Sequence, residues 1–420
     1  MKNMILKFVY WLLAKYARKV INLHRPFVIA VTGSVGKSST KEAIFQVLHD
    51  NFGSEVRKNY GNLNAEIGIP LTILGYDRVP SKILWPVFLI LAYFRTFQKK
   101  YPKYIVLEMG VEHPGDLQYF STIVKPDIGV ITAISAVHSA NFGGIEGLVK
   151  EKLSMINIVK DHGKVIINND LVSLGSLEND SKEIITIGVD SKMSTYRAES
   201  INLGLDGTDY RIITTGQKIA IKTSLIGKQF VYAQLIAFAI GQIFDIQSLK
   251  IKQSLEKIKP INGRLRLIEG KNGITILDDT YNADPLGVKA ALDVLSLIKY
   301  SGRKVVIIGN MNELGKMEKE KHEEIATYAK GKCDLAIFAG PNAKLMAKSF
   351  GDSSVLSYDS RKTLENDLEK IIKPKDLILV KASQNKNYFE EITKKIMLKP
   401  DLAPDLLVRQ GSFWRFKKRV

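Results

Sequence analysis

Gly33, Gly36, Lys37 and Ser38 are the residues of this chain whose types and spacing most directly imply chemistry. A glycine turn followed by a lysine and a hydroxyl offers backbone N–H groups, an ammonium and an oxygen ligand to one anion. That set seats phosphate: Lys37 is placed for the β- and γ-phosphates of a nucleotide, and Ser38 for Mg²⁺. Ser34 and Ser39 lie in the same loop. The match is to the short core G-x-x-G-K-S, because Val31 stands where the longer G-x-x-x-x-G-K-[ST] pattern has glycine. An ordinary strand-to-helix turn with a surface lysine would share the short core. The clean apolar strand before it and the hydroxyls of Ser38, Ser39 and Thr40 after it favour phosphate.

The elements that must hold this loop read directly from the pattern. Phe27 to Val31 is an apolar, β-branched run that predicts a buried strand, and a helix is expected from Lys37. After Lys103 strands and helices alternate: YIVLEMG, GDLQYFSTIV, DIGVITAI, GGIEGLVKEKLSMINIV and KVIINND. The strands are continuously apolar, as in parallel sheets covered on both faces. From Ile184 to about Ile226 shorter runs with glycine turns suggest a small antiparallel sheet. The α/β rhythm restarts beyond Pro260 with GITILDD, KVVIIGNM, LAIFAG and LILVKAS, which predicts a second doubly wound, Rossmann-like domain. The expected division is therefore an opening helix over 1–25, a central domain carrying the phosphate loop over 26–260 and a C-terminal domain over 261–420.

Ligands of open α/β sheets gather where strands end. Glu108 ends one strand and could hold Mg²⁺, or be a solvated strand-end acid. His138 lies beyond ITAIS, where a structural histidine is the common case; Lys150 and Lys152 belong to the next helix. Asp278 and Asp279 end ITILDD, and Asp279 ahead of Asn282 could bind a ribose or cap the helix after Pro285.

Composition narrows the class. The chain has 420 residues, 45% hydrophobic and 25% charged, which is ordinary for a folded globular protein. A single cysteine, Cys333, excludes a disulfide framework and a cysteine zinc site. The formal net charge of +18 is spread along the chain rather than gathered with aromatics, so a generally basic surface is expected and nucleic acid is not. The opening segment to Arg25 is amphipathic and basic, with an apolar run too short to span a bilayer; it either packs on its own domain or lies in a membrane interface. Ile83 to Phe94 is a second such patch, and packing of one patch on the other would account for both without lipid.

An ordered set of motifs then points further. VTGSVGKSSTKEA, NYGNLNAEIGIPLTIL, LEMGVEHPGDL, ITAISAVHSANFGGIEGLVKEK, INGRLRLIE, DDTYNADP, IIGNMNELG with the following His322, and LVKAS occur from Phe27 to Ile396. Their content and order resemble the Mur ligases, the ATP-dependent amide ligases of peptidoglycan precursor synthesis, and most of all their D-alanyl-D-alanine-adding branch. The resemblance implies that Lys37 and the loop glycines bind ATP phosphates, that Ser38 and Glu108 hold one Mg²⁺, and that His138 helps hold a second. Lys152 matches the lysine such enzymes carbamylate, with Lys150 as the competing assignment. Arg264 matches an arginine at the γ-phosphate, and Asp279 and Asn282 match nucleotide contacts of the C-terminal domain. Two domains would then close over one ATP. The implied substrates are a muramyl-tripeptide precursor and D-alanyl-D-alanine; the implied enzyme is a cytoplasmic monomer, with contact at the inner membrane face left open.

The chain also departs from that family. Mur ligases usually begin with a separate UDP-sugar-binding domain, whereas here the phosphate loop starts about thirty residues in, so that domain is expected to be absent. Gln229 and Gln234 replace residues of an adenine-contacting helix, and Asn59 replaces a residue that is often threonine. The rival expectation is another amide ligase of the same superfamily, glutamate-adding or polyglutamate-type, acting on a different and membrane-linked acceptor. A degenerate, non-catalytic relative would not be expected to keep Lys37, Glu108, His138, Lys152, Arg264 and Asp279 together.

Overall fold

The computed structural model describes residues 2–61, 63–81, 84–135, 139–172, 182–384 and 387–419. Two β-sheets organise the chain. The first has nine strands: β1 Phe27–Thr32, β2 Val56–Lys58, β3 Tyr104–Glu108, β4 Ile128–Ile131, β5 Lys164–Asn168, β6 Glu183–Gly188, β7 Tyr196–Gly204, β8 Gly207–Thr214 and β9 Gln217–Thr223. Their spatial order is β2-β3-β1-β4-β5-β6-β7-β8-β9. Pairing is parallel from β2 through β7. The β1, β3 and β4 side chains are almost all buried, as their unbroken apolar runs require.

The region from Ile184, expected as a small antiparallel sheet, instead continues the first sheet. β6 pairs in parallel with both β5 and β7, so this region extends the main sheet. Glycine turns and short alternating runs carry no information about which existing edge a strand will join, and the hydrogen-bonding edge of β5 supplied one. Only the joins of β7 to β8 and of β8 to β9 are two-residue turns of the kind the glycines signalled.

The second sheet has six strands: β10 Arg266–Glu269, β11 Thr275–Asp279, β12 Lys304–Gly309, β13 Leu335–Ala339, β14 Val355–Tyr358 and β15 Leu377–Lys381. The order is β10-β11-β15-β12-β13-β14, with only β10 antiparallel. The chain returns to insert β15 between β11 and β12, which brings the ends of three parallel strands side by side. Both sheets are thus α/β and mostly parallel, as expected. By compactness the chain divides into one unit of Met1–Glu199, Arg211–Ile221 and Phe230–Lys257, and another of Ser200–Tyr210, Lys222–Gln229 and Ile258–Val420.

Three helices cover the first sheet near the phosphate loop or flank it with apolar surface. The helix Lys37–Phe52 buries Thr40, Ile44, Val47 and Leu48, a helical-period stripe laid on the first sheet. The opening helix Lys2–His24 buries Val9, Leu13, Ala17 and Val20 in the core of its own unit. The helix Trp85–Arg95 buries Phe88 and Ala92 there too. Of the second apolar patch, Ile83 lies outside the described residues. The two patches touch, Tyr16 and Tyr93 having ring centroids 5.7 Å apart, but each keeps an apolar outer face. Among the described residues no helix is long and apolar enough to cross a membrane.

Candidate active site

The register of three adjacent strands builds the first site. Val31 of β1 lies opposite Glu108 of β3 and opposite Val130 of β4, so the carboxyl ends of all three stop at one level. The loop from Gly33 to Gly36 crosses that edge. Gly33 has φ 140°, and a Cβ there would stand 2.1 Å from Thr132 Oγ1. Gly36 has φ 87° and caps the helix that Lys37 begins. The backbone therefore needs glycine at both positions. Thr132 Oγ1 donates to the Val35 carbonyl at 2.6 Å and Ser34 N–H donates to the Ala133 carbonyl at 2.7 Å, tying the loop to β4.

Two lysines converge on one carbonyl of this loop. Lys37 Nζ donates to Gly33 O at 2.8 Å, and Lys152 Nζ donates to the same oxygen at 3.3 Å. Lys152 is 1% exposed. Burial first, and then the Lys37 charge, push its amine down to about 7. Near neutral pH it is therefore a nucleophilic amine in a way an ordinary lysine is not. Its helix, Ile145–Leu153, is anchored by the next side chain: Glu151 accepts from Gly115 N–H at 2.9 Å and Leu117 N–H at 3.1 Å.

Beside the lysines lies a buried carboxylate. Glu108, 2% exposed, accepts from Ser38 Oγ at 3.2 Å and Asn64 Nδ2 at 3.0 Å through Oε1. Its Oε2 receives no hydrogen bond, and Lys41 Nζ stands 3.4 Å away. Burial works to raise the Glu108 pKa, but the charges of Lys41 and Lys37 together with the hydrogen bonds from Asn64 and Ser38 hold the carboxyl below its usual range. Asn59 braces the strand end, its Nδ2 donating to Glu108 O and its Oδ1 accepting from Glu108 N–H at 2.8 Å. A hydroxyl and an ionised carboxylate with one unbonded oxygen are hard donors side by side, a set that fits Mg²⁺. Among the described residues no group of three His, Cys, Asp or Glu side chains gathers to hold a metal without such help.

The second unit has its own cluster at the ends of β11 and β15. Asp279 and Lys381 are register partners and form a buried ion pair. Asp279 Oδ1 also accepts from Leu265 N–H at 3.3 Å, and Lys381 Nζ donates to Asn282 O at 3.0 Å. Arg264 lays its guanidinium on the Tyr281 ring, 4.3 Å from the centroid. Arg409 holds the same stretch from the other side, donating to the Thr280 and Tyr281 carbonyls while paired with buried Glu390. His322 is fully buried; its Nε2 accepts from Met311 N–H at 2.9 Å and its Nδ1 contacts Glu318 O at 2.6 Å, which fixes a neutral ring beneath the loop after β12.

Comparison with known proteins identifies the family. Residues 87–241 match the family model described as the Mur ligase middle domain, and residues 263–384 match that of the Mur ligase glutamate ligase domain. The chain is 30% identical over 378 residues to the UDP-N-acetylmuramoyl-tripeptide--D-alanyl-D-alanine ligase of Bacillus subtilis (strain 168), covering 89% of this chain and 76% of that protein. The chain belongs to the Mur ligase family. Its fold also matches MurF of Acinetobacter baumannii, with TM-score 0.78, 22% identity and coverage of 91% and 79% of the two chains. A MurF ligase of Thermotoga maritima, solved in complex with ADP, matches with TM-score 0.75 and 23% identity over 91% and 82%.

For a Mur ligase the placement of the anticipated residues is informative. Gly33, Ser34, Gly36, Lys37, Ser38, Glu108 and Lys152 come together in the first unit. Ser39 follows in the first turn of the loop's helix. Lys150 is exposed, so of the two lysines only Lys152 reaches the loop. His138 lies outside the described residues. Arg264, Asp279 and Asn282 cluster in the second unit, Asp279 already engaged by Lys381. Gln234 is fully buried and spends its amide on the Leu255 carbonyl at 2.9 Å. Lys41, Asn64, Thr132, Lys381 and Arg409 were not anticipated. Of these Lys41 carried a signal, being three residues after Ser38 and so on the same helix face.

Proposed function

We propose that this Mur ligase joins D-alanyl-D-alanine to UDP-N-acetylmuramoyl-tripeptide at the expense of ATP. The observation that carries this reading is the convergence of Lys37 and Lys152 on the Gly33 loop beside the Ser38–Glu108 pair, in a chain 30% identical to a ligase of that name. We propose 26–260 and 261–420 as its central and C-terminal domains.

The acceptor carboxylate is a poor acyl donor, and transfer of the γ-phosphoryl group to it gives an acyl phosphate. The amine of the dipeptide attacks that carbonyl, and phosphate leaves as the amide forms. Lys37 and the loop N–H groups hold the nucleotide's phosphates and meet the charge that develops on transfer. Ser38 and Glu108 are the residues that would hold Mg²⁺, and His138 is proposed as a ligand of a second ion. When bound, Mg²⁺ supplies charge neutralisation at the phosphoryl oxygens. Lys152 as a carbamate would present an anion to the same region in place of a cation. In the second unit we assign Arg264 to phosphate and Asn282 to the nucleotide, with Asp279 holding Lys381 and keeping lone pairs for a hydroxyl. We also take the working enzyme to be cytoplasmic, because ATP and a UDP-linked peptide are cytoplasmic solutes.

Phosphate release from ATP and Mg²⁺ tests the reading, with the UDP-tripeptide and either D-alanyl-D-alanine or glutamate as amine. Release that requires the tripeptide and D-alanyl-D-alanine together, and is lost in Lys37→Ala, is expected. Release with glutamate in place of the dipeptide would overturn the assignment of the amine.

A further inference from the structure

We propose that the outer faces of the opening helix Lys2–His24 and of the helix Trp85–Arg95 form one surface that seats on an anionic lipid bilayer. This stands apart from the ligase reading and would survive its failure. A helix that is apolar all round is normally buried on all sides. Trp85–Arg95 is not. Phe88 and Ala92 face the core, while Val87, Ile90, Leu91 and Phe94 repeat at i, i+3, i+4 and i+7 on the opposite side and stay exposed, Ile90 by 60% and Phe94 by 65%. The opening helix adds Phe8 and Trp11, stacked with centroids 5.9 Å apart and both more than half exposed. A patch of this kind on a folded protein marks an interaction surface.

The charges say what the partner is. Neither the opening helix nor residues 84–103 contain a single Asp or Glu. Going along the outer side of the opening helix, Trp11 is followed by exposed Lys15 and Lys19. Lys15 Nζ lies 5.3 Å from the Trp11 ring centroid, and Lys19 Nζ lies 3.8 Å from that of Phe97, just past the second helix. Lys99 and Lys100 continue the exposed basic fringe. Aromatic and aliphatic side chains rimmed by lysine, with no acid among them, match an interface of acyl chains below and anionic headgroups above. A second copy of the chain fits less well, because a twofold contact would set the same lysines against one another. Neither helix spans the bilayer, since each commits its other face to the protein core.

Co-sedimentation of the full chain with vesicles of phosphatidylcholine, alone or mixed with phosphatidylglycerol, tests the proposal. Binding to the mixed vesicles that exceeds binding to the neutral ones and falls with salt is expected. Replacing Lys15 and Lys19 together by Ala should weaken it about twenty-fivefold at low ionic strength, about fivefold per basic residue. Ile90→Asp with Phe94→Asp should abolish it, and Trp11→Glu on the other helix is the independent second variant, each checked for an unchanged melting transition. A wild-type chain that stays in solution with both vesicles overturns the proposal, as does equal binding to both or binding that the substitutions leave intact. A concentration-dependent dimer lost in the Ile90 and Phe94 variant, without vesicle binding, assigns the surface to a second copy instead.

Discussion

Lys152 offers the sharpest test of the site. Carbamylation joins a neutral amine to CO₂ with release of a proton, so its extent follows the fraction of amine that is unprotonated. An ordinary lysine near 10.5 is neutral in about one molecule in 3,000 at pH 7; with the amine lowered to about 7 the fraction is about half, a gain of roughly a thousandfold. At pH 6 about one tenth remains neutral, and above pH 8 the fraction saturates. The assay is ¹³C NMR of the protein in ¹³C-bicarbonate without ATP, comparing wild type with Lys152→Met. A carbamate resonance that grows with a midpoint near pH 7 and is missing from the variant is expected. Turnover of the wild type should rise with added bicarbonate below pH 7, and acetate should restore part of the activity of Lys152→Ala by returning a carboxylate to the cavity. A resonance that persists in Lys152→Met, or whose midpoint lies above pH 9, would refute the argument that burial and Lys37 prepare this amine.

Two further outcomes rest on the same kind of reasoning. Burial pushes the Asp278 carboxyl up to about 7 against hydrogen bonds from Thr280 and Thr393. Its folded pKa thus lies above its unfolded one, so the folded chain holds an extra proton between about pH 4 and 7; the resulting stability is complete below that window and lost as pH rises through 7. The effect is on the order of 4 kcal/mol, and Asp278→Asn should remove it, which urea unfolding at pH 5 and pH 8 will show as a flattened pH dependence. Gly33→Ala forces a Cβ to 2.1 Å from Thr132 Oγ1 and should cost about 2–3 kcal/mol as well as nucleotide-dependent turnover. Adding Thr132→Ala should restore part of the stability; a double variant melting no higher than the single one would show that this clash is not the cause.

How much of the fold and site was legible in the sequence depended on whether a contact is local in the chain. Lys37 and Ser38 lie within one turn of the glycines, so spacing alone exposed them; Glu108 ends an unmistakable strand, which marked it as a candidate that a solvated strand-end acid would fit equally well. Thr132 meets the loop because β4 lies beside β1, and Asn64 meets Glu108 because β2 lies beside β3; strand order is not written in any one strand. Lys381 is hidden for the same reason: it reaches Asp279 through the insertion of β15 beside β11. The choice between Lys150 and Lys152 was more accessible than it looked, since Lys152 is four residues beyond buried Leu148 and shares its face. The extension of the first sheet by β6 and β7 was not accessible, because glycine turns describe the ends of strands and not their neighbours. The outward apolar face of Trp85–Arg95 was visible as hydrophobicity, but only the fold shows which half of it the core leaves uncovered.

The helix Ile145–Leu153 carries three consecutive side chains with three destinations: Lys150 to solvent, Glu151 to the amides of Gly115 and Leu117, and Lys152 to the Gly33 carbonyl. Each step along a helix turns about 100°. Deleting or adding one residue between Gly144 and Lys150 would therefore rotate all three at once, sending the buried amine outward and breaking the clamp that holds the helix still. Substitutions at the solvent-facing positions of this segment, such as Lys150, can be absorbed one at a time, but its length cannot change, and this stretch is phase-locked to the chemistry beside it.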